Sequence, residues 1–136
     1  MEGKNTSHLA GEFLVAGELS RRGYPVAMTF GHAKSVDIYA DTCRGTIKVD
    51  AKAGRAKGNW PIKESSVKKD VYYIFVYLQT PNRIRKNMAP EYFIVNGEDI
   101  RSKRLVETWG TRQGITYSTL KADYKDRWDI LPLPPK

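Results

Sequence analysis

The alternation of hydrophobic and polar positions predicts several strands in this chain. Residues 46–53 have the sequence TIKVDAKA, with an apolar side chain at every second position and polar or charged side chains between them. Because successive side chains of a strand point to opposite faces, this period of two indicates a strand. Similar stretches at 24–30 and 36–40 predict two more, and the polar segment 41–45 predicts a hairpin between the second and the third. The unbroken apolar run 71–78 predicts a central strand that is buried on both faces.

Helical spacing and turn residues account for the rest of the chain. Residues 7–22 predict the first helix, with Ser7 as its N-cap and Gly23 as the residue that ends it. The basic segment 54–69 predicts a loop, with one short helical stretch after Pro61. Further expected elements are a fifth strand at 91–95, a helix at 98–109 that buries Trp109, a helix at 118–128, and an extended proline-rich tail at 131–136.

Length and composition fit one domain spanning residues 1–136. Of its 136 residues, 40% are hydrophobic and 11% are aromatic, which is enough for a sizeable core. The strands and helices together predict an α/β fold, in which a mixed β-sheet is flanked by helices. The N-terminal residues lack the apolar region of a signal peptide, and no apolar run is long enough to cross a bilayer. We therefore expect a cytoplasmic protein without a membrane partner.

The charge balance favours a polyanionic partner. Lysine and arginine number 23 against 15 aspartate and glutamate residues, which gives a formal net charge of +8. Such an excess is typical of proteins that bind DNA, RNA or an acidic membrane surface, although many basic proteins bind none of these. The single cysteine, Cys43, excludes an internal disulfide. His8 and His32 lack the spacing of paired metal ligands and are interpreted as structural.

Glu12 lies at an unexpected position in the predicted first helix. On a wheel of about 100° per residue, the apolar stripe of this helix contains Leu9, Phe13, Ala16 and Leu19. Glu12 falls within this stripe, between Leu9 and Ala16. A carboxylate on a buried face is unfavourable unless it is paired. Glu12 therefore either reaches water or a basic side chain at the edge of the stripe, or belongs to a site.

The predicted hairpin carries a second group of charged residues. If the apolar faces of both strands join one core, Asp37 shares the opposite face with Asp50 and Lys52. Two carboxylates at this spacing repel each other, and a divalent cation such as Mg²⁺, which prefers oxygen ligands, would relieve the repulsion. Lys52 would then contact a phosphate or the attacking water, and this set of groups suits the hydrolysis of a phosphodiester. From the motif D-x-K alone, a solvated polar face with a lysine–aspartate pair is the more common explanation.

Taken together, these residues resemble the pattern of the PD-(D/E)XK nuclease superfamily, which includes restriction endonucleases and archaeal-type Holliday junction resolvases. The resemblance covers roughly the first 55 residues best. It departs from the pattern at Val36, where the family usually has proline, and after Gly54, where the chain is short for the family's second core helix. The matching residues, in the family's order and in its helix-then-hairpin setting, are Glu12, Asp37, Asp50 and Lys52.

The resemblance implies a restriction-endonuclease-like core and a metal-dependent endonuclease that hydrolyses DNA. It implies that Asp37 and Asp50 are metal ligands, that Lys52 is the catalytic lysine and that Glu12 is an accessory acid. Mg²⁺ is the implied cofactor, with Mn²⁺ as an alternative. We expect a homodimer, because cutting both DNA strands is easiest with two sites related by a two-fold axis. The alternatives are a non-catalytic nucleic-acid-binding or interaction module on the same fold, and a nuclease that acts on RNA.

Two basic segments follow the predicted site. Arg55, Lys57 and Lys63 come directly after the D-x-K strand and are predicted to contact nucleic acid, with a solubilising loop as the alternative. A second basic segment lies at 82–86. The three tryptophans are interpreted as packing residues rather than as platforms on which bases stack.

Overall fold

The fold is α/β, as predicted, and is built on a mixed five-stranded sheet. The computed structural model describes residues 2–30, 36–79 and 88–136. His32 and the second basic segment at 82–86 lie outside the described residues. Among the helices of the described part of the chain, none is long and apolar enough to span a membrane.

Three helices and eight strands make up the described structure. The helices are α1 (Glu2–Arg21), α2 (Gly97–Ser102) and α3 (Tyr117–Asp123). The strands are β1 (Val26–Met28), β2 (Ile38–Thr42), β3 (Gly45–Gly54), β4 (Asn59–Pro61), β5 (Val71–Tyr77), β6 (Glu91–Asn96), β7 (Glu107–Trp109) and β8 (Arg112–Thr116).

The large sheet has the strand order β1-β2-β3-β5-β6, and a small sheet has the order β4-β8-β7. In the large sheet β3 and β5 run parallel, and the other neighbours run antiparallel. A parallel pair needs a crossover connection, which is most often a helix. Here β4 and a 3₁₀ turn at Glu64–Ser66 form the crossover instead. The segment 54–69 thus contains the predicted short helical stretch and also a strand that the sequence did not predict.

Hydrophobic cores cover both faces of the large sheet. The helix-side core packs α1 onto the sheet, and the small-sheet-side core joins the sheet to β4, β8, α2 and α3. β5 contributes Ile74 to the first core and Phe75 to the second, which explains its unbroken apolar sequence. Buried members of the helix-side core include Val15, Leu19, Ile38, Val49 and Ile74, and those of the small-sheet-side core include Trp60, Phe75, Phe93, Ile115 and Leu120.

The ends of α1 differ in how well the sequence predicted them. The helix begins at Glu2, so Ser7 is a buried residue within the helix and the prediction that it is the N-cap is wrong. The other end is confirmed. Gly23 has φ +97°, and the backbone N–H of Tyr24 donates to the carbonyl of Leu19 at 3.0 Å. This is the left-handed helix ending that glycine favours.

The buried face of α1 is rotated from the predicted stripe. Leu9 and Phe13 are 46% and 53% exposed, whereas Val15, Ala16 and Leu19 are buried. Glu12 is 1% exposed. It therefore lies well inside the buried face, which makes the carboxylate still harder to explain by packing alone.

The prediction of a helix at 98–109 is wrong. α2 ends at Ser102, and the chain continues into the β7–β8 hairpin, which turns at Gly110 with φ +61°. Trp109 is consequently 42% exposed rather than buried. The helix predicted at 118–128 is shorter, because α3 ends at Asp123 and only a 3₁₀ turn follows at Trp128–Ile130.

Candidate active site

Asp37 occupies the point at which β2 begins. The strand starts at Ile38, two residues later than predicted. Val36 packs in the small-sheet-side core and Ile38 in the helix-side core, so the predicted alternation across Asp37 does not hold. Instead, Asp37 Oδ2 accepts a hydrogen bond from the backbone N–H of Ala51 in β3 at 2.8 Å. Backbone N–H groups of a strand point along the plane of the sheet, so this carboxylate lies beside β3 in that plane, at the point where β2 begins.

Asp37 and Asp50 are in hydrogen-bonding contact through their carboxyl groups. Asp37 directly precedes Ile38, and the partner of Ile38 in β3 is Val49, which directly precedes Asp50. Burial raises the pKa of Asp50 to about 7, and the contact with Asp37 adds to the rise. Lys52 opposes it, with Nζ 3.3 Å from Asp50 Oδ2. Because burial and a neighbouring carboxylate both disfavour ionised Asp50, a cation here would favour it.

α1 brings a carboxylate and an imidazole to Asp37. His8 Nε2 lies 2.5 Å from Oε2 of the buried Glu12, one helical turn further along. One ligand atom from each of His8, Glu12 and Asp37 lies within 4.8 Å of the others, which is close enough to share a metal ion. The sequence interpretation did not connect His8 with this group. The available signal was the i, i+4 spacing of His8 and Glu12, which puts both on one helix face.

Lys52 lies between two surface grooves. Lys52 directly follows Ala51 in β3, and Ala51 belongs to the helix-side core. The side chain of Lys52 therefore points to the opposite face of the sheet. One groove, of about 620 Å³, is also lined by His8 and Arg55. The other, of about 660 Å³, is also lined by Lys63. Lys52 is therefore a lining residue of both grooves.

The three predicted nucleic-acid contacts occupy different positions relative to these grooves. Arg55 lines the first groove, and its Nε donates a hydrogen bond to Ser7 Oγ at 2.7 Å. Lys63 lines the second. Lys57 lines neither of the two, and its Nζ lies 5.2 Å from the ring centroid of Tyr117. Arg55 and Lys63 therefore flank Lys52 on opposite sides.

The fold of this chain is found in an endonuclease of known structure. The bacterial homing endonuclease I-Ssp6803I matches it with a TM-score of 0.58, over 93% of this chain and 90% of the endonuclease chain. The two sequences are 14% identical, so the likeness establishes a shared fold. No protein-family model matches the chain, and no curated protein sequence matches it significantly.

Proposed function

We propose that this protein is a metal-dependent endonuclease of the PD-(D/E)XK type that hydrolyses DNA phosphodiester bonds. The observation that carries the proposal is the contact between Asp37 and Asp50, with Lys52 beside them and Glu12 next to Asp37. The likeness to a homing endonuclease supports DNA as the substrate, and the net charge of +8 is consistent with it.

The donor set fits a hard divalent cation. Asp37 lies close enough to Glu12 and His8 to share an ion with them, and it also contacts Asp50, so carboxylate oxygens, the ligands that Mg²⁺ and Mn²⁺ prefer, lie on both sides of Asp37. His8 adds an imidazole nitrogen, which is more typical of transition-metal sites. The raised pKa of Asp50 fits as well, since a bound cation would stabilise its ionised form. A metal ion held by Asp37 and Asp50 would supply positive charge against the scissile phosphate and acidify a nearby water.

The protein's own groups have distinct roles in this proposal. The Ala51 N–H fixes the orientation of the Asp37 carboxylate. Lys52 is partly exposed beside Asp50, so its ammonium can turn from that carboxylate to the phosphate and orient the attacking water. Glu12, held by His8, is an accessory acid that accepts or orients a proton on the other side of Asp37.

DNA binding and assembly follow from the same proposal. Arg55, Lys57 and Lys63 contact the phosphates, and one domain spanning residues 1–136 contains the whole site. A homodimer places two such sites on opposite strands of the duplex. Light scattering should give the mass of two chains plus one duplex for the DNA complex, and a monomer both free and on DNA would contradict the dimer.

A plasmid-nicking assay with Mg²⁺, Mn²⁺ or EDTA tests the proposed activity. Wild type should nick supercoiled DNA with either metal and not with EDTA, and Asp50→Asn should abolish nicking because an amide holds a divalent cation poorly. Asp41→Asn is the matched control, since Asp41 lies in β2 but is exposed and hydrogen-bonded to Thr46. DNA binding without metal-dependent nicking would indicate the non-catalytic module instead. Cleavage of RNA but not of DNA would show that the substrate is wrong.

A further inference from the structure

The second groove leads from Lys52 to the tip of the β7–β8 hairpin. Its lining includes Lys52, Lys63, Arg112 and the ring of Trp109. Among the described residues that line it, none is aspartate or glutamate. The groove thus combines three cations with one large aromatic ring, and it begins at the residue that the proposed function places at the scissile phosphate.

The hairpin is held in a fixed position relative to β3. Trp109 pairs with Arg112 across the turn, which puts both side chains at its tip. β8 also pairs with β4, the strand that follows β3 along the chain. Gln113 fastens the hairpin further, because its Oε1 accepts a hydrogen bond from the Glu64 N–H at 3.0 Å and its Nε2 donates to Thr108 Oγ1 at 3.2 Å. These contacts set the separation between Lys52 and Trp109.

Trp109 differs from the other two tryptophans in its exposure. Trp60 and Trp128 are 3% and 8% exposed and belong to the two cores, whereas Trp109 is 42% exposed. Tryptophan is highly buried on average. An exposed aromatic ring beside cations is the arrangement on which proteins stack the bases of single-stranded nucleic acids.

We propose that this groove binds a single DNA strand next to the scissile phosphate, with Lys63 and Arg112 on phosphates and Trp109 stacked on an unpaired base. The inference rests on the proposed function for the position of the scissile phosphate. Within a duplex each base is already stacked on its neighbours, so the ring of Trp109 can stack on a base only where the strand is unpaired. The groove therefore favours DNA that is single-stranded or opened beside the cut.

Tryptophan fluorescence in EDTA tests this binding without requiring cleavage. A short single-stranded oligonucleotide should quench the emission of wild type. Trp109→Phe should lose that quenching, because the remaining tryptophans are buried, yet keep an aromatic platform. Trp109→Ala should weaken single-strand affinity roughly tenfold in a filter-binding assay, Trp109→Phe less than about threefold, and neither should change affinity for a blunt duplex by more than about twofold.

Arg112→Ala tests the phosphate contact, and Arg44→Ala is its control. Arg112→Ala should lower the log–log salt slope for single strands by roughly 0.7. Arg44 is an exposed cation in another hairpin turn, between β2 and β3 and at the opposite end of these strands from Asp50, so its removal should leave the slope unchanged.

The outcomes separate this inference from the proposed function. Trp109-dependent quenching without any metal-dependent nicking would support the groove and refute the endonuclease. Metal-dependent nicking, with Trp109→Ala binding single strands as tightly as wild type, would refute the groove alone. Equal losses for single strands and blunt duplexes would also overturn the preference for unpaired bases.

Discussion

Gly11 in α1 lies so close to Ala53 in β3 that a β-carbon on Gly11 would come within 2.5 Å of the Ala53 Cβ. Real side chains do not approach each other this closely, so the helix reaches its position because residue 11 is glycine. The next residue, Glu12, is thereby placed beside Asp37. The close approach of helix and strand thus connects the packing of the helix-side core to the geometry of the candidate site.

Gly11→Ala should destabilise the protein, and Gly17→Ala should not. The added methyl at position 11 forces α1 away from β3, an overpacking that typically costs about 1–3 kcal/mol. Gly17 lies in the same helix with nothing within 4 Å of its would-be β-carbon, so alanine there should be neutral or stabilising by up to about 1 kcal/mol. Urea unfolding of both variants measures the difference. Equal stabilities would mean that α1 and β3 are not in close contact.

The metal-free protein should become less stable as the pH rises from about 4 to about 7. Burial and Asp37 raise the pKa of Asp50 from 3.8 to about 7 in the folded state. A raised pKa means that the folded state binds this proton more tightly than the unfolded chain does. The resulting stabilisation is complete below pH 3.8 and is lost as the pH rises through about 7.

Asp50→Asn isolates that effect, because an amide does not titrate. In EDTA the variant should melt at a higher temperature than wild type at pH 8, with a smaller difference at pH 4. Saturating Mg²⁺ should raise the melting temperature of wild type at pH 8 and leave the variant nearly unchanged. If wild type in EDTA is equally stable at pH 5 and pH 8, the pKa of Asp50 is not raised and does not support a cation site.

Local patterns predicted much of the fold and of the candidate site, and contacts between distant segments account for what they missed. The alternation of apolar and polar residues at 46–53 predicted β3, because the period of a strand is visible in its own sequence. The strand itself extends to Gly54. The helix predicted at 98–109 is wrong because β8 pairs with β4, a strand about 55 residues earlier that local spacing does not reveal. The contact of Asp37 with Asp50 was expected from strand parity, yet Asp37 lies just before the start of β2 and is positioned by its hydrogen bond from the Ala51 N–H.

Lys52→Ala should slow cleavage while leaving metal affinity nearly intact. Lysine is not a metal ligand, but the variant loses a positive contact to the phosphate and a group that orients water, which should lower the rate by roughly 10²–10⁴-fold. Lys48→Ala is the matched control, since Lys48 lies four residues before Lys52 on the same face of β3 and pairs with Asp70 at 3.1 Å. Calorimetry with Mn²⁺ and the nicking assay measure the two effects. Equal rates for all three proteins would remove Lys52 from the site.

His8→Ala should weaken Mn²⁺ binding more than Mg²⁺ binding. An imidazole nitrogen is a better ligand for transition metals than for Mg²⁺, so its loss should lower Mn²⁺ affinity by roughly 10–100-fold. Leu9→Ala is the neighbouring control, because Leu9 is exposed and carries no donor atom. If His8→Ala weakens both metals equally, His8 acts by holding Glu12 rather than as a ligand. If it weakens neither, the group of His8, Glu12 and Asp37 does not bind the ion.

Binding to duplex DNA should weaken steeply with salt, and the basic residues beside Lys52 should set the steepness. Each phosphate contact contributes roughly 0.9 to the log–log slope, so Arg55→Ala and Lys63→Ala should each lower the slope by about that amount. Arg127→Ala should not, because Arg127 is paired with Asp129 at 2.9 Å and lines neither groove. Lys57→Ala decides whether an ammonium over the Tyr117 ring also reaches the DNA.

Thermal unfolding of each variant separates lost contacts from lost structure, which matters most for Arg55 because it is bonded to Ser7 in α1. An unchanged slope for both Arg55→Ala and Lys63→Ala would exclude both residues from the contact with duplex DNA.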